Sequence, residues 1–111
     1  MKKVSFEVQG SAPEPYTVTF IKRTENNLSA YCSCPAGENG LHCKHRINIL
    51  MGETKGIVSD NLGDVSIVQA WVPGTDIEEK LLKALRLESE FNRIKKELST
   101  AKKELAQAML D

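Results

Sequence analysis

Apolar and polar residues alternate through the first third of the chain. Val4, Phe6 and Val8 alternate with Ser5, Glu7 and Gln9. Tyr16, Val18 and Phe20 alternate with Thr17, Thr19 and Ile21, and Leu28, Ala30 and Cys32 continue the pattern. A period of two is the signature of a half-buried strand, because successive side chains leave a strand on opposite faces. Gly10 through Pro15 contains glycine, serine and two prolines and reads as a loop. Thr24-Glu25-Asn26-Asn27 is a short polar turn in which asparagine is able to take the left-handed conformation, so the second and third strands form an antiparallel hairpin.

The period then changes. Pro35 through Gly40 reads as a loop, and Ile47, Leu50 and Met51 fall at i, i+3 and i+4, which predicts a short helix from about Lys44 to Met51 stopped by Gly52. Residues 53–63 are mostly polar and read as a connector. Residues 64–72 are β-branched enough for a strand, yet Val65, Val68, Trp71 and Val72 stand at helical spacing between Asp64 as N-cap and Pro73 as terminator, and a short helix is the expectation. Thr75-Asp76-Ile77-Glu78 fits a capping box, in which the Thr75 hydroxyl accepts from the Glu78 amide and the Glu78 carboxylate reaches back. From residue 76 to about 110 there is no glycine or proline, which predicts one helix about 50 Å long at 1.5 Å per residue. The expected class is α+β: a small antiparallel hairpin or sheet with a short helix in residues 1–52, a connector over 53–75, and a long amphipathic helix over 76–111.

The chemistry concentrates in Cys32-Ser33-Cys34 and, eight residues on, Cys43-Lys44-His45. An odd number of close cysteines beside histidine fits a metal better than disulfides. Zinc takes four ligands in a tetrahedron, and three cysteines with one histidine are a standard closed set. Two ligands at the end of a strand meet two at the start of a helix if the chain bends at Pro35. Other assignments exist. A Cys32–Cys34 disulfide would close a very small strained ring and strand Cys43. Cys with His45 as a catalytic pair lacks an orienting acid and an oxyanion loop. His42 is the alternative fourth ligand.

The strings Cys32-Ser33-Cys34-Pro35-Ala36-Gly37 and Cys43-Lys44-His45-Arg46 resemble the SWIM zinc finger, whose pattern is CxC, a variable gap, then CxH. The likeness covers roughly residues 16–52. It implies a ββα-like zinc fold with Cys32, Cys34, Cys43 and His45 as ligands, and a role in DNA binding or protein–protein contact. With all four positions filled by protein, no site remains for an activated water, so the expected zinc is structural and the expected module non-enzymatic.

Composition narrows the partners. The 15 basic and 15 acidic residues cancel, which argues against a strong sequence-blind grip on nucleic acid. Residues 1–50 nevertheless carry six basic and four acidic side chains. Lys22, Arg23, Lys44 and Arg46, with Tyr31 as a stacking group, are the candidate nucleic-acid contacts, with DNA the expected target. No apolar run approaches the ~20 residues of a membrane span, and Met1-Lys2-Lys3 leads into no long apolar stretch. A cytoplasmic location is expected, or a nuclear one in a eukaryote.

In the long helix, heptad position a holds Ile77, Ala84, Phe91, Leu98 and Leu105, and position d holds Lys80, Leu87, Ile94, Ala101 and Ala108. This seam, with Leu87, Phe91, Ile94, Leu98 and Leu105 as its large members, fits a homodimer or a hetero-assembly through a coiled coil. The competing expectation is a helix folded back on its own domain.

Overall fold

The computed structural model describes residues 1–110. The elements run β1 (Lys2–Val8), β2 (Tyr16–Thr24), β3 (Asn27–Cys32), α1 (Pro35–Glu38), α2 (Lys44–Leu50), α3 (Asp64–Trp71) and α4 (Asp76–Ala108). The strands form one antiparallel sheet in the order β1-β2-β3, with Phe6 opposite Val18, Phe20 opposite Ala30 and Val18 opposite Cys32. The architecture is thus α+β, with short helices after the sheet and a long C-terminal helix.

The alternation places Phe6, Val8, Val18, Phe20, Leu28 and Cys32 in the core. Phe6 and Phe20 meet edge to face at 6.1 Å, the arrangement that sets a positive ring edge on a negative ring face. Ile49 and Leu50 of α2, Val65 and Val68 of α3, and Val72 complete the buried apolar set. α2 lies against both α3 and β3. The buried face of α2 is therefore set by Ile49 and Leu50, whereas Met51 is the C-cap residue and is exposed.

Residues 53–63 are tied to the open edge of β1. Val8 bridges Ile57. Gln9 N–H donates to the Gly56 carbonyl at 2.8 Å and Val58 N–H to the Glu7 carbonyl at 2.8 Å. The Glu7 N–H donates to Ser59 Oγ at 3.1 Å, and Asn61 Nδ2 donates to the Ser5 carbonyl at 2.8 Å. On the far edge, the Leu28 N–H donates to Asp76 Oδ1 at 3.1 Å and Arg46 Nη1 donates to the Ala30 carbonyl at 3.1 Å. Two compact units result, Met1–Glu79 and Lys80–Asp111.

Four local expectations are corrected. Residues 35–38 form a helical turn rather than a loop, because Pro35 stands at its start, where a missing N–H is harmless, and Cys34 caps it. The β2–β3 turn needs no left-handed asparagine: among the described residues every positive φ belongs to glycine, and a register shift between Lys22 and Thr24 takes up the geometry. Residues 64–71 are helical, but Gly63 is the N-cap and Asp64 lies in the first turn, accepting from Asn61 Nδ2 at 3.3 Å. The capping box is also rearranged. The Thr75 hydroxyl donates to the Val72 carbonyl at 2.6 Å, and the Glu78 carboxylate accepts from the Gly74 N–H at 3.3 Å. Thr75 is buried beside the end of α3, where terminal carbonyls need donors, and that demand outweighs the reciprocal box. Thr75→Val keeps the shape and the backbone bond from Thr75 N–H to the same carbonyl. It is expected to cost about 1 kcal/mol, read as a lower denaturant midpoint at unchanged m-value.

Candidate metal centre

The end of β3 and the starts of α1 and α2 converge on four side chains. Cys32 closes β3 on its buried face, Cys34 caps α1, Cys43 is the N-cap residue of α2, and His45 stands in the first turn of α2. One ligand atom from each lies within 4.8 Å of all the others. Cys34 Sγ is 3.4 Å from Cys43 Sγ, Cys32 Sγ is 3.8 Å from His45 Nδ1, and Cys43 Sγ is 3.6 Å from the same nitrogen. Zinc bonded to sulfur at about 2.3 Å and to nitrogen at about 2.0–2.1 Å in a tetrahedron sets ligand separations of about 3.5–3.8 Å. Three of the six edges, at 3.4, 3.6 and 3.8 Å, are close to those separations and the other three are within 4.8 Å, so the residues fit the ion.

The three cysteines are free and buried, and His45 is half-buried. His42 is exposed and outside the cluster, so His45 completes the set of four. Backbone amides serve the sulfurs: the Gly37 N–H donates to Cys34 Sγ at 3.3 Å and the Cys34 N–H to Cys32 Sγ at 3.5 Å. Burial pushes the Cys32 thiol up to about 12, reinforced by the neighbouring sulfurs of Cys34 and Cys43 against the single opposing Cys34 N–H. Burial also raises Cys43, but the Arg46 backbone N–H and the hydrogen-bonding groups of Cys34, His45 and Cys32 outweigh it and bring that thiol down to about 6. One sulfur is thus ready as a thiolate near neutrality, and another must have its proton displaced by the metal.

Several supporting residues have no sequence signature of their own. A Cβ on Gly37 would lie 2.5 Å from the Cys32 carbonyl oxygen and 2.8 Å from the Cys32 Cβ. A Cβ on Gly10 would lie 2.5 Å from Tyr16 Cε2 and 3.2 Å from His45 Nε2. Tyr16 tilts against the His45 ring at 5.2 Å between centroids, so its side chain and Gly10 together hold the imidazole with Nδ1 toward the sulfurs. Gly37 stands in the quoted string, where only its space requirement was hidden; Gly10 lay in what reads as an ordinary loop.

The candidate nucleic-acid residues do not gather into one patch. Arg46 donates to the carbonyls of Ala30 and Leu41 at 3.1 and 2.7 Å, bracing β3 against the metal-binding loop. Lys22 Nζ donates to the Glu25 and Trp71 carbonyls at 3.1 and 3.0 Å. Arg23 donates to Ser29 Oγ at 2.9 Å and to the Tyr31 hydroxyl at 3.1 Å, and its guanidinium lowers the Tyr31 pKa through that bond. Strand alternation places Arg23 and Tyr31 on the sheet face opposite Cys32. Lys44 is exposed at the start of α2. It borders a cleft of about 580 Å³ beside the metal ligands, along with Lys55, His42, Tyr16, Gln9 and Asn48, and no carboxylate lines it.

A closed set of three buried cysteines and one half-buried histidine, with ligand atoms close to tetrahedral separations, defines a structural zinc centre of the zinc-finger class. Residues 6–49 match the model of the SWIM zinc finger family, and that segment of the chain is a SWIM-type finger. The match starts at Phe6, so it takes in the end of β1 together with the hairpin and most of α2. No curated protein and no solved structure matches the chain. Among the described residues no helix is long and apolar enough to cross a membrane.

Proposed function

We propose that this chain is a non-catalytic zinc module that contacts the phosphate backbone of DNA within a larger assembly, using the cleft beside the metal centre. The observation that carries this reading is the cleft's lining: Lys44, Lys55 and His42 with no carboxylate among the residues around it. Three thiolates and one zinc ion leave the centre with one negative charge, and the two lysines exceed it. Tyr16 supplies an aromatic edge at the same cleft. Arg46 and Lys22 stand outside the proposed contact set because backbone carbonyls already hold their charged groups.

Fluorescence anisotropy with labelled duplex DNA across a salt series tests the proposal. Binding should weaken as salt rises, and Lys44→Glu with Lys55→Glu should flatten the slope of log K against log salt by about 2, one for each phosphate no longer neutralised. Arg23→Ala, on the other sheet face, should leave the slope unchanged. No detectable binding at low salt, with one zinc per chain confirmed, overturns the reading. A protein-docking role without nucleic acid is the second reading, favoured by the exposed apolar residues of α4.

A further inference from the structure

Helix α4 has no buried residue. Its large apolar side chains nonetheless recur on one seam and are open to solvent: Leu87 at 48%, Phe91 at 64%, Ile94 at 55%, Leu98 at 53% and Leu105 at 60% relative exposure. An isolated helix in water draws little stability from propensity alone and normally relies on burying its apolar face. From Ala84 to Ala108 every a and d position is apolar, at the spacing that knobs-into-holes packing uses.

The flanking charges identify the occupant. Positions g are Lys83, Glu90, Glu97 and Glu104, and positions e are Glu88, Lys95 and Lys102. Among the described residues the one ion pair is Arg93–Glu97 at 3.5 Å, and Lys83, Glu88, Glu90, Lys95 and Lys102 have no ionic partner among them. In a parallel pair of identical helices each g residue meets the e residue of the following heptad on the other strand. Lys83 then meets Glu88, Glu90 meets Lys95, and Glu97 meets Lys102, all three attractive and each occurring twice. An antiparallel pair stacking Phe91 on Ile94 brings g against g and e against e. Lys83 then meets Glu104 and Glu88 meets Lys95, but Glu90 meets Glu97. Only the parallel arrangement is free of like-charge contacts.

We propose that α4 is the dimerisation surface of this protein and that its occupant is a second copy of the same chain, aligned in parallel through Leu87, Phe91, Ile94, Leu98 and Leu105. The flanking charges set the orientation, as partner choice in coiled coils requires. The complementarity is to the chain's own sequence, which is why a second copy is favoured over a foreign helix. Dimerisation through α4 does not depend on DNA binding.

Sedimentation equilibrium of the full zinc-loaded chain over a concentration series tests it. The wild type should fit a monomer–dimer equilibrium, and Phe91→Asp should remain monomeric over the same range with one zinc per chain retained. Glu90→Lys separates the orientations. In the parallel dimer this charge reversal turns the attraction to Lys95 into a like-charge repulsion, twice per dimer. It should raise the dissociation constant about tenfold, with Glu90→Lys plus Lys95→Glu restoring it. In the antiparallel dimer Glu90→Lys removes the repulsion with Glu97 and tightens association. A monomer at every concentration overturns the proposal; a tighter Glu90→Lys dimer overturns the parallel alignment.

Discussion

Cys34→Ser is expected to abolish one-to-one zinc binding and, with it, the folded state of residues 1–79. Cys34 does three things at once. Its sulfur is a ligand 3.4 Å from Cys43 Sγ, it caps α1, and it accepts the Gly37 N–H. The core it supports is small: one sheet face, two faces of short helices and the ligands themselves. Structural zinc contributes an apparent binding free energy of about 10–16 kcal/mol in zinc-finger peptides, comparable with the whole stability of a domain at about 5–15 kcal/mol. Losing a ligand should therefore convert a cooperative unfolding transition into none, seen in the near-ultraviolet circular dichroism around Trp71. Elemental analysis should report well under one zinc per chain. One zinc per chain with an unchanged transition would refute the metal assignment.

The same chemistry fixes a pH dependence. The metal-bound cysteines are thiolates, so bound zinc holds their pKa values far below those of the free thiols. A group whose folded pKa is depressed stabilises at high pH and loses that contribution as pH falls. Without metal Cys32 sits at about 12 and is protonated throughout the neutral range, so zinc binding there always releases its proton. Cys43 sits at about 6, so below that value its proton must leave as well. Zinc affinity should accordingly rise with pH, and fall more steeply with acidification below about pH 6 than above it. Competition with a chromophoric chelator across that range measures both slopes.

The second large effect belongs to Gly37→Ala. The added methyl would sit 2.5 Å from the Cys32 carbonyl oxygen, and backbone cannot swing aside as a side chain does. Either Cys32 moves, carrying its sulfur off the tetrahedron, or α1 shifts and breaks the Gly37 N–H bond to Cys34. Residues that orient a metal's ligands typically cost 10–100-fold in affinity when replaced, and overpacking typically adds about 1–3 kcal/mol. A fall of at least tenfold in zinc affinity is expected. Gly10→Ala is the control. Its closest clash, at 2.5 Å from Tyr16 Cε2, is with a side chain rather than backbone, and its effect should be smaller. Equal effects from both would show that crowding of Cys32 is not the cause.

The parts legible in sequence were those encoded by local spacing. Period-two alternation marked β1, β2 and β3 because one sheet face is buried and the other is not. The Cys-x-Cys and Cys-x-His spacing picked out the four side chains that the structure brings together, because tetrahedral chemistry tolerates few alternatives. The helical spacing of Val65, Val68, Trp71 and Val72 before Pro73 favoured a helix over a strand that their β-branched character also allowed, and α3 is a helix. Information held between distant segments was hidden. Neither the demand on Thr75 from the end of α3 nor the capture of Arg46 by Ala30 and Leu41 is visible in a string of residue types. For the same reason Lys22, Arg23, Lys44 and Arg46 read together as candidate contacts, although strand alternation and local carbonyls direct them to different surroundings. The turn at α1 was the exception: Pro35 after a capping residue is a local helix-start signal, masked because the same residues read as a metal loop.

The two borders of the sheet also limit how partners approach. Ser5 and Glu7 on β1 and Gln9 just beyond it already exchange hydrogen bonds with residues 56–61, and Leu28 and Ala30 on β3 are met by Asp76 and Arg46. A peptide that recognises proteins by extending a sheet needs a free row of amides and carbonyls. Here that row is engaged on β1 and interrupted on β3. Recognition by strand addition is disfavoured, and so is the edge-to-edge stacking that seeds fibrils. Partners of this finger are left with its side-chain surfaces, so what it recognises is set by residue identity at exposed positions rather than by the shared geometry of the backbone.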